Sequence, residues 1–283
     1  MATEAARRPR APLVLALGQV RYQLVLLLRS PLGFFLSIVF PLLLLICLKV
    51  ITPARPVGGL PYAQWLTPAM CAFCLLNACY VTAITSIVLA REEGILKRLR
   101  GTPLPAWTYL LGRSGSAFVT SVIAVGVIIA TGVVFFDVHI VWHAIGYFAA
   151  ATCLGIACFF LLGVAVTTMV PKAETALPVA FGTMLPLAFI SNVFFSVSRP
   201  PAWLHDLASA FPVAPIARAM EACFNPATRS WPMPVSELLV VLGWSAVAIV
   251  VIALSFRWEP GSAPAARGLG RSRHWLRRGQ HAP

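Results

Sequence analysis

Arg91-Glu92-Glu93-Gly94-Ile95-Leu96-Lys97-Arg98-Leu99-Arg100 puts six charged residues in ten between two stretches that contain none. Before it, Pro56–Ala90 runs for 35 residues without Asp, Glu, Lys or Arg; after it, Ser114–Phe136 runs for 23. A helix rises about 1.5 Å per residue, so about 20 apolar residues cross roughly 30 Å of hydrocarbon. The charged stretch is then a short connection between two crossings, held at one membrane face. Outward from it lie further charge-free runs: Ser30–Leu48 (19 residues), Val138–Pro171 (34), Thr175–Ser198 (24) and Leu238–Phe256 (19). Together they predict spans near 32–50, 62–90, 108–136, 143–170, 176–196 and 237–257. Only helices or closed barrels satisfy the backbone in lipid, and these runs lack the two-residue alternation of barrel strands. The two longest runs are long for one helix but short for two plus a turn, and Pro56-Val57-Gly58-Gly59-Leu60-Pro61 is loop chemistry. The expectation is an all-α membrane protein with six transmembrane helices.

Composition agrees. Of 283 residues, 59% are hydrophobic and 11% charged, against about 25% charged in soluble domains. An ordinary soluble globule is excluded, and so is disorder over most of the chain. The net charge of +13 reflects 22 Lys+Arg against 9 Asp+Glu. With the N-terminus inside, segments 1–30, 91–113, 171–174 and 257–283 hold 17 of the 22 basic residues. Lys49, Arg55, Arg199, Arg218 and Arg229 fall outside. This bias places both termini in the cytoplasm and accounts for most of the charge without nucleic acid. Cys47, Cys71, Cys74, Cys79, Cys153 and Cys158 sit in apolar runs and Cys223 in a more polar one, so no disulfide framework is expected. Met1–Pro12 is basic but lacks a cleavage site after a short apolar region, and reads as retained.

The connections divide the chain into a cytoplasmic N-terminus (1–30), a membrane domain (31–257) and a basic, disordered cytoplasmic tail (258–283). In Ala11–Arg29, residues Leu13, Leu17, Val20, Leu24, Leu27 and Leu28 share one stripe, as in an amphipathic helix lying on the inner leaflet. The tail's Arg267, Arg271, Arg273, Arg277 and Arg278 suit anionic lipid headgroups. In Arg91–Arg100 acids come first and bases last, matching a helix dipole, and Glu93 and Lys97 are spaced for an i,i+4 pair. Ile95, Leu96 and Leu99 form a small apolar ridge; Gly101 stops the helix and Thr102-Pro103-Leu104-Pro105 stiffens its exit. The residues alone allow a solvated loop or a docking knob for a soluble partner. Between spans five and six, Leu204, Leu207 and Phe211 keep helical spacing until Pro212 and Pro215, giving two short helices half-buried at the outer interface with Trp203 as anchor.

The chemistry is sparse. No Gly-x4-Gly-Lys-Ser/Thr loop occurs, so the chain carries no nucleotide site of that kind. His139 and His143 are spaced i,i+4 near Asp137, a metal-compatible pattern that reads as interfacial at the outer end of a hairpin. No metal site and no catalytic residue is assigned. Cys71, Cys74 and Cys79 read as small packing groups. The charge-free spans argue against a proton relay and against catalysis within the membrane, but not against a path for hydrophobic molecules. Asn77, Thr82, Thr85, Ser86, Ser191 and Asn192 are the polar candidates for that path. Their alternative role is interhelical hydrogen bonding, worth about 0.6 kcal/mol each.

Arg91–Pro105 resembles the cytoplasmic loop of ABC-2 type permeases, the membrane subunits of ATP-driven exporters, and the drug and lipid export branch in particular. Val20-Arg21-Tyr22-Gln23 through Arg29-Ser30-Pro31, leading into Phe40-Pro41-Leu42-Leu43, is similar to that family's entry helix and first span. Phe194-Phe195-Ser196-Val197-Ser198-Arg199-Pro200-Pro201-Ala202-Trp203-Leu204, then Phe211-Pro212-Val213, is similar to its segment after the fifth span, where the short outer helices are re-entrant. Ser191-Asn192-Val193-Phe194 departs from the glycine-containing version there.

The resemblance implies that Arg91, Glu92, Glu93, Gly94, Ile95, Leu96, Lys97, Arg98, Leu99 and Arg100 form the coupling helix, seated on a P-loop ATPase subunit. Glu92 and Glu93 would pair with its basic residues. It implies two ATPase copies, which bind ATP and Mg themselves, a second permease subunit that is most simply a copy of this chain, and no cofactor on this chain. The competing readings are a membrane-embedded lipid-modifying enzyme built on Asp137, His139 and His143, and an anchor that moves nothing. Arginine outnumbers lysine 19 to 3 and alanine is plentiful, as in GC-rich bacterial genomes, which points to a bacterial plasma membrane.

Overall fold

The computed structural model describes Val25 and residues 31–52, 56–57, 59–95, 106–191, 193–194, 201–228, 230–231 and 233–255. The amphipathic helix expected over 11–29 (Val25 apart) and the tail 258–283 lie outside these residues. The elements of the membrane domain are helical. The first, α1, joins an α-helical turn Pro31–Phe34, a π-helical turn Phe35–Val39 and an α-helix Phe40–Ile51. The second, α2, joins Tyr62–Leu76, a π-helical turn Asn77–Val81 and Thr82–Glu92. There follow α3 (Ala106–Phe136), a 3-10 turn Trp142–Ala144 leading into α4 (Ile145–Val166), and α5 (Ala173–Ile190). Two short helices, α6 (Ala202–Ala210) and α7 (Val213–Cys223), precede α8 (Val235–Ser255).

Five of these, α2, α3, α4, α5 and α8, are long and apolar enough to cross a membrane; the apolar part of α1, Phe35–Ile51, is shorter. The helices differ from the expected spans at their ends. The fourth stops at Val166 rather than 170, because Pro171 disfavours helical backbone at Val170 and the chain turns over 167–169. The fifth starts at Ala173 and ends at Ile190, three residues earlier and six residues earlier than expected.

The core is built around α2. Of its most apolar stretch 78% is buried, against 11% for α8. From Leu66 to Cys79 nearly every side chain of α2 is inaccessible, and α1, α3, α4, α5 and α7 all pack against it. Close approach needs small residues. A Cβ on Gly163 of α4 would stand 2.8 Å from Tyr80 O and 2.8 Å from Ala83 Cβ, both on α2. With no hydrophobic drive between helices in lipid, such contacts supply the dispersion that holds them.

The π-turns have local causes. Pro41 has no N–H, and its ring crowds the carbonyl four residues back, at Ser37. The helix widens there: Phe40 N donates to Phe35 O, which frees Leu36 O. Asn77 Nδ2, within the π-turn of α2, donates to Leu36 O, and Cys74 Sγ donates to Ser37 O at 3.8 Å. The π-turn of α2 also meets α3 through Cys79 Sγ and Ser121 Oγ (3.1 Å) and α5 through Tyr80 OH and Thr183 Oγ1 (2.8 Å).

Candidate functional site

At one end of the bundle α2 runs into the charged stretch. Glu93 N donates to Leu89 O (2.9 Å) and Gly94 N to Arg91 O (3.2 Å). Gly94 has φ +69°, a left-handed conformation that costs glycine little, and Ile95 is helical again. One helix over 91–100 is therefore corrected: Arg91 and Glu92 close α2, and the chain turns at Glu93–Gly94. The i,i+4 relation between Glu93 and Lys97 starts in that turn and not within a helix. Leu96, Lys97, Arg98, Leu99, Arg100 and Gly101–Pro105 lie outside the described residues. Gly94→Ala is expected to cost about 1 kcal/mol through backbone strain, read as a lower thermal midpoint in detergent.

Arg91 and Glu92 point back into the chain. Arg91 is 8% exposed; its Nη1 donates to Thr167 O (3.2 Å) and its Nη2 to Val170 O. These carbonyls belong to the turn that leaves α4, where helix ends carry unsatisfied oxygens and negative partial charge. Glu92 Oε2 accepts from Ala173 N at 2.6 Å, the first residue of α5, where the orphan groups are N–H donors. Each charge thus sits on the helix end of opposite sign. The Glu92 carboxylate accepts a hydrogen bond from inside this chain although the residue is exposed, as are Glu93 and Ile95. On the next helix, Arg113 Nε donates to Ser86 Oγ at 2.7 Å, tying α3 to α2 at the same end.

The polar candidates for a path do not gather in one place. Asn77 is buried against α1. Thr85 donates to Val81 O of its own helix (2.8 Å), and Ser86 accepts from Arg113. Thr82, Thr85 and Ser86 are half-buried and Leu89 is exposed, a stripe at helical spacing along a side of α2 left uncovered among the described residues. Ser191, at the far end of α5, is buried with its hydroxyl unpartnered among the described residues. Asn192 lies outside them.

The opposite end is organised by Gln64, which no motif marked. Its Nε2 donates to His139 O (2.7 Å) and Phe224 O (3.0 Å), and its Oε1 accepts from His139 N (2.9 Å). The His139 ring turns to Asp137 O (2.8 Å) and the His143 ring to Thr228 O (2.7 Å). Among the described residues no group of three or more His, Cys, Asp or Glu could hold a metal. All seven cysteines are free thiols.

The α6–α7 pair dips in from this end: Trp244 Nε1 of α8 donates to Ala210 O (2.7 Å), and Ile216 packs on Gly155 of α4. Arg218 pairs with Glu237 at 3.1 Å. Glu221, three residues on, turns its carboxyl inward; burial pushes it up to about 8, with a Trp65 hydrogen bond and Arg218 pulling the other way. The folded chain keeps a proton there that the unfolded chain gives up near the usual 4.5, so this group costs stability as pH rises from about 4.5 to about 8. Glu221→Gln should flatten that slope and raise the thermal midpoint at the alkaline side; an unchanged pH profile would refute the burial. A lone acid among Ala, Met and Cys was the sequence signal for Glu221.

Residues 19–225 match the family described as ABC-2 type transporter. The chain belongs to that family, and its five long apolar helices make it a multi-pass membrane protein. It is 20% identical over 149 residues to a protein of Escherichia coli K12 named "Probable multidrug ABC transporter permease YbhR", covering 53% of this chain and 40% of that protein. The same figures hold for its counterpart in Escherichia coli O157:H7. The matched part thus spans two-fifths of the length of these relatives.

Proposed function

We propose that this chain is the permease of an ATP-driven exporter in a bacterial plasma membrane. It crosses six times, α1 included, with both termini in the cytoplasm and α6–α7 re-entrant from outside. Two P-loop ATPase subunits bind ATP and Mg and grip segment 91–100, and a second copy of this chain completes the path. The substrate is hydrophobic or amphipathic: a drug, as the relatives' name suggests, a lipid or a lipid-linked glycan. One observation carries the reading. The most enclosed helix, α2, ends directly in an exposed charged turn, so a force applied at that turn acts on the whole core. The uncovered Thr82–Leu89 stripe supports a path between two copies, with Thr82, Thr85 and Ser86 offering hydroxyls to a substrate. ATP binding draws the ATPases together, and the docked turns move the spans as rigid levers.

The test is Glu93→Lys with Ile95→Asp, two exposed positions. Loss of a charge pair and an apolar contact at the centre of an interface costs about 2 kcal/mol or more, so ATPase recovered with the tagged chain should fall more than about tenfold. The thermal midpoint should hold. Full ATPase recovery with both substitutions would remove the docking assignment.

A further inference from the structure

We infer that Arg91 and Glu92 are positioning residues that clasp the end of α2 to the α4–α5 turn, so that movement of segment 91–100 is passed directly to α5. This rests on the exporter reading above. The geometry is specific. Arg91 closes on the carbonyls of Thr167 and Val170, and Glu92 holds Ala173 N at 2.6 Å. Two adjacent residues of α2 therefore hold both sides of one turn, each with the charge that its helix end favours.

What the clasp holds is also a lightly enclosed helix interrupted by two prolines. Only 22% of the apolar stretch of α5 is buried. Pro178 and Pro186 lie inside it and remove the hydrogen bonds to the carbonyls of Glu174 and Gly182. Tyr80–Thr183 is a second tie to α2, ten residues or about 15 Å along α5 from Ala173. With the clasp closed, α5 is held to α2 at two heights and follows it. With the clasp open, α5 keeps the Tyr80–Thr183 hydrogen bond and the packing of Ala180, Met184 and Ala188 higher up, and its first turn is released. At its far end stand Phe189 and Ser191, whose hydroxyl has no partner among the described residues, and the Phe194 ring meets Phe73 of α2 edge-on and Phe189 at a tilt, with centroids 4.9 and 4.7 Å away. A displaced Ala173 would be felt there.

Glu92→Ala opens the clasp from one side and Ala173→Pro from the other. Proline removes the N–H that Glu92 accepts, yet suits the first position of a helix, and Lys172 before it is already extended at φ −129° and ψ 149°. The full chain is purified with its ATPase, and hydrogen exchange is followed with and without ATP and vanadate. In the parent, nucleotide trapping should change exchange at residues 91–95 and across 173–190. In both variants the first response should remain while the second falls severalfold, and Glu92→Asp should restore it. In Glu92→Ala without nucleotide, the Ala173 amide should exchange about tenfold faster. If α5 responds in both variants as in the parent, the clasp is overturned and the exporter reading stands. If no ATPase accompanies the parent chain, both are overturned.

Discussion

Replacement of Gly163 by leucine is expected to leave little folded protein in the membrane. The new Cβ alone would meet Tyr80 O at 2.8 Å, Tyr80 Cα at 3.1 Å and Ala83 Cβ at 2.8 Å. Two of these are backbone atoms of the central helix, which cannot rotate away as a side-chain tip can. Helix α4 would have to part from α2 beside the π-turn Asn77–Val81, where Asn77, Cys79 and Tyr80 also tie α2 to α1, α3 and α5. Overpacking a close-packed contact costs about 1–3 kcal/mol for an added methylene or two, so alanine should sit near that cost and leucine beyond it. The measure is the monodisperse fraction and thermal midpoint after extraction in mild detergent. A Cβ on Gly182 or Gly243 would meet nothing within 4 Å, so these two serve as controls; alanine there should be neutral. A Gly163→Leu protein as stable as the parent would place α4 elsewhere.

Gln64→Leu should loosen the opposite end by roughly 3 kcal/mol. Leucine fills the space but leaves His139 N without its acceptor and His139 O and Phe224 O without their donor. Each buried polar group left unpaired costs about 1–3 kcal/mol, less where water can enter. Gln64→Glu keeps an acceptor for His139 N but turns two donor contacts into oxygen facing oxygen, and should be at least as damaging. Because Gln64 bonds both the α3–α4 loop and the chain leaving α7, which His143 and Thr228 also join directly, both should exchange amide hydrogen faster together in either variant. Faster exchange at only one of them would show that the three contacts do not act as a unit.

The helices were legible because lipid imposes a coarse rule: about 20 residues without charge make a span. That rule marked all five long helices, and Pro68, Pro178 and Pro186 did not hide them. It read their ends poorly, since ends are set by capping partners distant in sequence. The Arg91 stretch shows the limit. Its composition announced an exposed feature, but acids before bases suggested one helix, whereas Gly94 in the left-handed region divides it. The destination of Glu92, the N–H of Ala173, lies 81 residues away, and nothing local points to it. Gln64 and Glu221 were passed over for the same reason: a polar residue near a span's end looks like a solvated one until its neighbours are known.

By itself, the sequence determined that this protein lives in a membrane as a bundle of helices and that a dense run of charge follows its second helix. Periodicity and transfer free energy act over one element at a time, and one sequence contains them in full. Only the tertiary structure decided that the second helix is the enclosed one, that paired π-turns join it to the first, and that Arg91 and Glu92 close on two other helix ends. Those outcomes depend on which small residue meets which backbone and which orphan group finds a partner, and such pairings exist only once the helices are packed.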